Sequence, residues 1–173
     1  MSDASAAPLS AEVRALSRHA VAALSFRFEH AVAGLPADVT TEDPVNIADF
    51  DVGHGVRTPH DLVVHMTRVV WLGLGLLGPG DAPGQPSSWA SSWTQALDDF
   101  RASLRALDDR LADVRTTVAS GDLERLVHGP ICDVASHIGQ LLLLRRLAGL
   151  PAEKVSYLRA DVSAGRLAPS PLD

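Results

Sequence analysis

Four segments of the chain repeat their apolar residues with the spacing of an α-helix, and Gly- and Pro-rich stretches separate them. They cover about residues 10–33, 58–77, 88–120 and 130–149. No stretch alternates apolar and polar residues with the period of a strand. Long helices joined by shorter connections predict an all-α fold, a four-helix bundle.

The second segment has the clearest start, because Thr58 can cap a helix, Pro59 suits its first position and Asp61 suits its first turn. On the third segment we expect a charged, solvated face opposite the apolar one. The residues predicted for the apolar stripes include Leu16, Phe28, Leu62, Met66, Val69, Leu72, Trp89, Trp93, Phe100, Leu104, Leu107 and Val114. The residues predicted for the solvated face are Asp98, Asp99, Arg101, Arg105, Asp108, Asp109 and Arg110.

The segments between these helices are irregular. Residues 37–57 have no sustained period and predict a long loop between the first two helices. Residues 121–130 predict a turn and a short helical piece that breaks at Gly129-Pro130. The chain of 173 residues is 46% hydrophobic and predicts one domain, residues 1–173. The bundle covers about residues 10–150, and a C-terminal tail, 151–173, has room for one more short helix.

Composition narrows the function classes. A net charge of −6 argues against nucleic acid as a partner, because phosphate binding needs clustered Lys and Arg. The single cysteine, Cys132, excludes an intramolecular disulfide and is expected as a small packed thiol. The N-terminal residues lack the pattern of a signal peptide, and the longest apolar stretch, near 69–77, is far shorter than the roughly 20 residues of a membrane span. We therefore expect a cytoplasmic protein with no membrane partner.

Two polar residues stand out in the last helix. Asp133 and His137 are one helical turn apart, on the face that continues through Leu141 and Leu144. Both side chains are therefore expected to point inward near one end of the core. A buried carboxylate without a partner is costly, and a divalent metal ion removes that cost.

A third ligand would come from a facing helix, and His65 is the best candidate. It lies on the apolar stripe of the second helix, at a depth similar to that of His137 in the fourth. His65, Asp133 and His137 would form a three-residue metal site that leaves coordination positions open, as catalytic sites do. A hydrogen-bonded Asp–His pair that merely orients two helices is the alternative reading of the same spacing.

Two stretches resemble the DinB/YfiT-like superfamily of metal-binding four-helix bundles. They are TPHDLVVHMTRV, which contains His65, and GPICDVASHIGQLLLLRRLAGLP, in which His137 precedes Gly139-Gln140. The resemblance implies that His65 is the first metal ligand and His137 the last, with Zn, Ni, Fe or Mn as the divalent ion. At the middle position, where the family has a second His of an H-x-x-x-H pair, this chain has Asp133.

The resemblance also implies a class of function. It suggests a metal-dependent enzyme that acts on a small-molecule substrate, either a transferase or isomerase that uses a low-molecular-weight thiol or a hydrolase, and it makes a homodimer plausible. The alternative is a non-catalytic bundle with a stress-related or regulatory role, in which the metal site has decayed. His54 and His60 either line the mouth of the site or are surface residues. Arg145 and Arg146 are expected to serve the helix dipole and solvent.

Overall fold

The computed structural model describes residues 6–36, 45–78 and 89–167, and most of its regular structure is helical. The α-helices are α1 (Ala11–Val32), α2 (Pro59–Leu76), α3 (Trp93–Ala112), α4 (Ser120–Leu126) and α5 (Cys132–Leu147). A π-helical turn (Val127–Ile131) joins α4 to α5, and a 3-10 turn (Tyr157–Arg159) lies in the C-terminal tail. The two-residue strands β1 (Ala7–Pro8) and β2 (Thr117–Val118) pair antiparallel. The predicted all-α fold is confirmed.

The four long helices form a bundle around one apolar core. Helices α3 and α5 each pack against both α1 and α2, so α1 and α2 face each other diagonally. A connection between diagonal helices must cross the end of the bundle, which explains the long segment between α1 and α2. The core is filled by fully buried side chains that include Phe28, Leu62, Met66, Phe100, Leu104, Leu107 and Leu141. Among the described residues, no helix is both long and apolar enough to cross a membrane.

The second helix begins as predicted, because the Thr58 hydroxyl accepts a hydrogen bond from the Asp61 backbone N–H at 3.2 Å. The third helix is shorter than predicted. Ser92 caps it by accepting from the Gln95 N–H at 3.3 Å, so it begins at Trp93. It ends at Ala112, because the chain that follows leaves the helix to form β2. Ser88, the predicted start, lies outside the described residues.

The predicted solvated face of α3 was wrong in part. Arg101, Asp108 and Arg110 are buried. Arg101 donates two hydrogen bonds to Glu29 of α1, at 2.8 and 3.0 Å. Because α3 packs against both α1 and α2, it has two covered flanks, and charged residues on one of them are paired across the α1–α3 interface.

Three residues predicted for the apolar stripes are exposed instead: Leu16, Leu72 and Val114. Val114 lies beyond the end of α3, so the helical period no longer applies to it. Leu16 and Leu72 lie on the solvent-facing sides of α1 and α2. Helical spacing alone assigned them to a stripe wider than the one that the neighbouring helices cover.

The predicted break at Gly129-Pro130 is replaced by the π-helical turn. The helix continues through Pro130, which has no backbone N–H to donate, by adopting the wider spacing of this turn. Pro130 packs closely against α2 at Gly73, where an added Cβ would lie 2.5 Å from the Pro130 ring. Gly73 therefore allows α2 to approach the chain just ahead of α5.

Arg145 was predicted to serve the helix dipole and solvent, but it is buried and does not face solvent. Its guanidinium donates hydrogen bonds to the carbonyls of Ala31 at 2.7 Å, Ala33 at 3.2 Å and Leu150 at 2.6 Å. These carbonyls lie at the C-terminal ends of α1 and α5, where helices leave carbonyl groups without helical partners. Burial lowers the pKa of Arg145. The residue thus ties two helix ends together, while Arg146 is exposed as expected.

Candidate metal centre

The structure brings the three predicted ligands together. His65 comes from α2, and Asp133 and His137 come from α5, which packs against α2. One ligand atom from each of the three residues lies within 4.8 Å of the other two. The His65 Nε2 is 3.9 Å from Asp133 Oδ2, and the His137 Nε2 is 3.4 Å from Asp133 Oδ1. The two imidazole rings are nearly perpendicular, with their centroids 4.7 Å apart.

These separations suit a shared ion better than direct hydrogen bonds. Tetrahedral ligands at about 2.1 Å from a metal ion are roughly 3.4 Å from one another. The distances from Asp133 to the two imidazole nitrogens, 3.4 and 3.9 Å, are near that value. Both exceed the range of a good N–H···O hydrogen bond, about 2.7–3.2 Å. Two imidazoles and a carboxylate are also a suitable donor set, so this group can hold a divalent metal ion.

Gln140 orients one of the ligands. Its side-chain oxygen Oε1 lies 3.1 Å from His137 Nδ1. Because an amide oxygen only accepts, a hydrogen bond here requires the proton at Nδ1, and the imidazole then keeps a free lone pair at Nε2, on the side of Asp133. Metal-binding histidines usually have such a partner. The sequence analysis did not assign Gln140 a role, although its position three residues after His137 places the two on one helix face.

The electrostatic environment keeps His65 in the form that binds metal. Burial is the main cause of its lowered pKa, and the positive charge of Arg57 lowers it further, against the opposing effect of Asp133. An imidazole with a lowered pKa is neutral at neutral pH. Its lone pair is then available to an ion without the release of a proton.

The cluster is open on one side. The side chain of His137 is 10% exposed, that of His65 29% and that of Asp133 44%. The expectation of a buried carboxylate was therefore wrong, because Asp133 lies in the first turn of α5, where water reaches it. A metal ion is therefore not needed to offset the cost of burying the Asp133 carboxylate. The exposure instead leaves a path by which a small molecule can reach the cluster.

The other candidate residues do not belong to the group of three converging ligands. His54 is exposed and has a left-handed backbone, with φ of 57°. His60 lies in the first turn of α2, with Nδ1 3.7 Å from an Asp61 oxygen, and its Nε2 is buried without a hydrogen-bond partner in the described parts of the chain. Cys132 is exposed, so the predicted packed thiol was wrong.

Comparison with models of protein families, with curated proteins and with solved structures gave no match. The helical bundle and the His65–Asp133–His137 cluster are therefore the observations that bear on function. Within the described residues, this cluster has the residue types and the spacing of a metal site.

Proposed function

We propose that this protein is an enzyme that depends on a divalent metal ion held by His65, Asp133 and His137. The observation that carries the proposal is the convergence of two imidazole nitrogens and a carboxylate within 4.8 Å, on a cluster that is open to solvent. Three protein ligands with an accessible side are typical of catalytic metal sites, whereas structural sites are usually closed by a fourth protein ligand.

Each residue has a defined part in this proposal. Gln140 fixes the ring of His137, the least exposed of the three ligands, and Asp133 supplies negative charge beside both imidazoles. A bound divalent ion would supply the chemistry, by lowering the pKa of a thiol or a water or by polarising a carbonyl group. The resemblance to the DinB/YfiT-like superfamily favours transfer or isomerisation with a low-molecular-weight thiol. Zn, Ni, Fe and Mn are all compatible with this donor set.

Metal binding is the first test. Protein purified without chelator is analysed for metal content, and its thermal and urea unfolding are followed with and without added Zn²⁺ or Mn²⁺. An ion at about one hundred times its Kd should stabilise the wild type by about 2.7 kcal/mol. The variants His65→Ala and Asp133→Ala should lose this stabilisation, and both positions are exposed enough for the variants to fold. His19→Ala, at an exposed position on α1, is the matched control and should keep it.

The alternative of a non-catalytic bundle predicts the opposite results. Purified protein would carry no metal, and added ions would leave the unfolding of the wild type unchanged. Equal stabilisation of the wild type and both ligand variants would place metal binding elsewhere on the chain. Either result would contradict the proposed site. A positive result would be followed by a screen for metal-dependent reaction of small thiols with electrophilic substrates.

A further inference from the structure

Two arginines lie beside the metal cluster. Arg68 follows His65 by three residues on α2, so the two side chains start from the same helix face. Arg57 immediately precedes Thr58, the residue that caps α2. Both arginines are exposed, and the positive charge of each contributes to the lowered pKa of His65. Both positive charges therefore lie close enough to act on His65.

The position of Arg68 is restricted without loss of its charge. Its guanidinium carbon lies 4.6 Å from the centre of the Trp89 ring, a cation–π contact that limits its motion and leaves its N–H groups free to donate. In the described residues, neither Arg57 nor Arg68 forms an ion pair with a carboxylate. The arginines of the α1–α3 interface differ, because Arg18 and Arg101 are each bonded to a carboxylate at 2.8 Å.

Asp133 and Asp61 are carboxylates near the cluster, and among the described residues neither forms an ion pair with Arg57 or Arg68. Asp133 is itself a proposed ligand, and its charge would be offset by a divalent ion. Asp61 lies beside His60, with an oxygen 3.7 Å from its Nδ1. The chain as a whole carries a net charge of −6, so an anion gains nothing from the average field of the protein. A local pair of arginines is the feature by which this site would attract one.

We propose that the open side of the cluster binds a small molecule that carries a negative charge, such as a carboxylate, and that Arg57 and Arg68 hold this charge. This inference rests on the proposed metal site and specifies the charge of its substrate or thiol. Arginine suits the task because its planar guanidinium donates paired hydrogen bonds to a carboxylate. The arginines would be specificity determinants, since they bind the charged group and leave the reacting group to the metal.

The test uses the full-length protein loaded with Co²⁺, whose absorption changes when a thiolate binds. Three small thiols that differ in charge serve as probes: mercaptopropionate, mercaptoethanol and cysteamine. They are titrated against the wild type, Arg57→Gln and Arg68→Gln. The control is Arg105→Gln, at an exposed position on α3. For each thiol the ratio of wild-type to variant affinity is compared, because this ratio cancels differences in the basicity of the thiols themselves.

We expect each site variant to bind mercaptopropionate about fivefold more weakly, as loss of a partly exposed charge contact predicts. Mercaptoethanol should change by less than about twofold, and cysteamine, which is cationic, should bind more tightly. The control should leave all three affinities unchanged. If Co²⁺ binds but the three thiols respond alike to the arginine variants, the inference is wrong and the metal site stands. If Co²⁺ does not bind the wild type, the proposed metal site fails and the inference fails with it.

Discussion

Polar groups lie between helices on two sides of this bundle, and the two sides differ in how those groups are paired. Between α1 and α3, Arg101 binds Glu29 through two hydrogen bonds, at 2.8 and 3.0 Å. Further along the same two helices, Arg18 binds Asp108 in the same bidentate manner, at 2.9 and 2.8 Å. Each of these charges therefore has a partner at full hydrogen-bond contact.

Between α2 and α5 the groups are arranged differently. The atoms of His65, Asp133 and His137 that face one another are 3.4 Å or more apart, and the carboxylate is nearly half exposed. The one short contact, from His137 to Gln140, lies on the far side of the imidazole ring. The three groups are close enough to bind one ion together and too far apart to form good hydrogen bonds with one another.

The comparison separates two uses of a polar residue inside a helical bundle. Charges paired at hydrogen-bond distance fix how α1 and α3 meet, and they leave no room for a ligand between them. Groups that converge without contact, and that solvent can reach, indicate a binding site. The distances between side-chain atoms distinguish the two cases, although both consist of similar residue types at similar helical spacing.

The largest expected effect comes from breaking an ion pair between α1 and α3. Glu29→Ala leaves the Arg101 guanidinium buried, with Asp98, at 3.2 Å, as its remaining ionic partner in the described parts of the chain. We expect the free energy of unfolding, measured by urea denaturation, to fall by about 3 kcal/mol. His65→Ala, between α2 and α5, should lower the free energy of unfolding of the metal-free protein by less than about 1 kcal/mol. An equal loss of stability in the two variants would contradict the distinction between the α1–α3 and α2–α5 interfaces.

A smaller effect should follow from a change behind the metal site. Gln140→Leu removes the acceptor for His137 Nδ1 and should weaken Zn²⁺ binding about tenfold in titration calorimetry. Because Gln140 is exposed, the stability of the metal-free protein should change by less than about 0.5 kcal/mol. Gln140→Glu keeps an acceptor and should retain most of the affinity. Undiminished binding in Gln140→Leu would show that this contact does not support the site.

A further variant tests the proposed ligand at position 133. Asp133→His replaces an oxygen donor with an imidazole and restores the residue that the resembled family has there. Imidazole favours Zn²⁺ and Ni²⁺, whereas carboxylate suits Mn²⁺. The ratio of Zn²⁺ to Mn²⁺ affinity should therefore rise, with a modest change in absolute affinity because the negative charge of Asp133 is lost. If calorimetry gives the same ratio for both proteins, position 133 does not contact the ion.

The smallest expected effect concerns His30, in the last turn of α1 near Arg145. Burial is the main cause of its lowered pKa, and the charge of Arg145 adds to it. The unfolded chain therefore binds a proton more readily than the folded one, so stability falls as the pH drops through about 6.5. Between about pH 7.5 and 5.5, His30→Asn should lose less stability than the wild type in urea unfolding with chelator present. An identical pH dependence would show that His30 does not contribute.

The helical period indicated His65, Asp133 and His137, because two of them share one helix face and the third lies at matching depth on a core-facing helix. The resemblance then favoured a metal site over a hydrogen-bonded Asp–His pair. It did not reveal that Arg101 and Asp108 are buried. Their partners, Glu29 and Arg18, lie in α1, far away in sequence, and helical spacing carries no information on which charged face another helix will cover. The role of Arg145 at the end of its own helix was predicted, but its burial was not, since its other acceptors are backbone carbonyls at the end of α1.

The π-helical turn ahead of α5 has a consequence for how the sequence can vary. This turn holds one residue more than an α-helical turn, and its wider spacing absorbs that residue. If Val127–Ile131 were regular α-helix, α5 would be rotated by about 100° relative to α4. Both helices pack against α2, and after such a rotation they could no longer present their present faces to it together. A sequence one residue shorter here could form an ordinary α-helical turn and keep these faces in contact. A sequence of the present length needs the wider turn, because that turn determines whether Asp133 and His137 face His65.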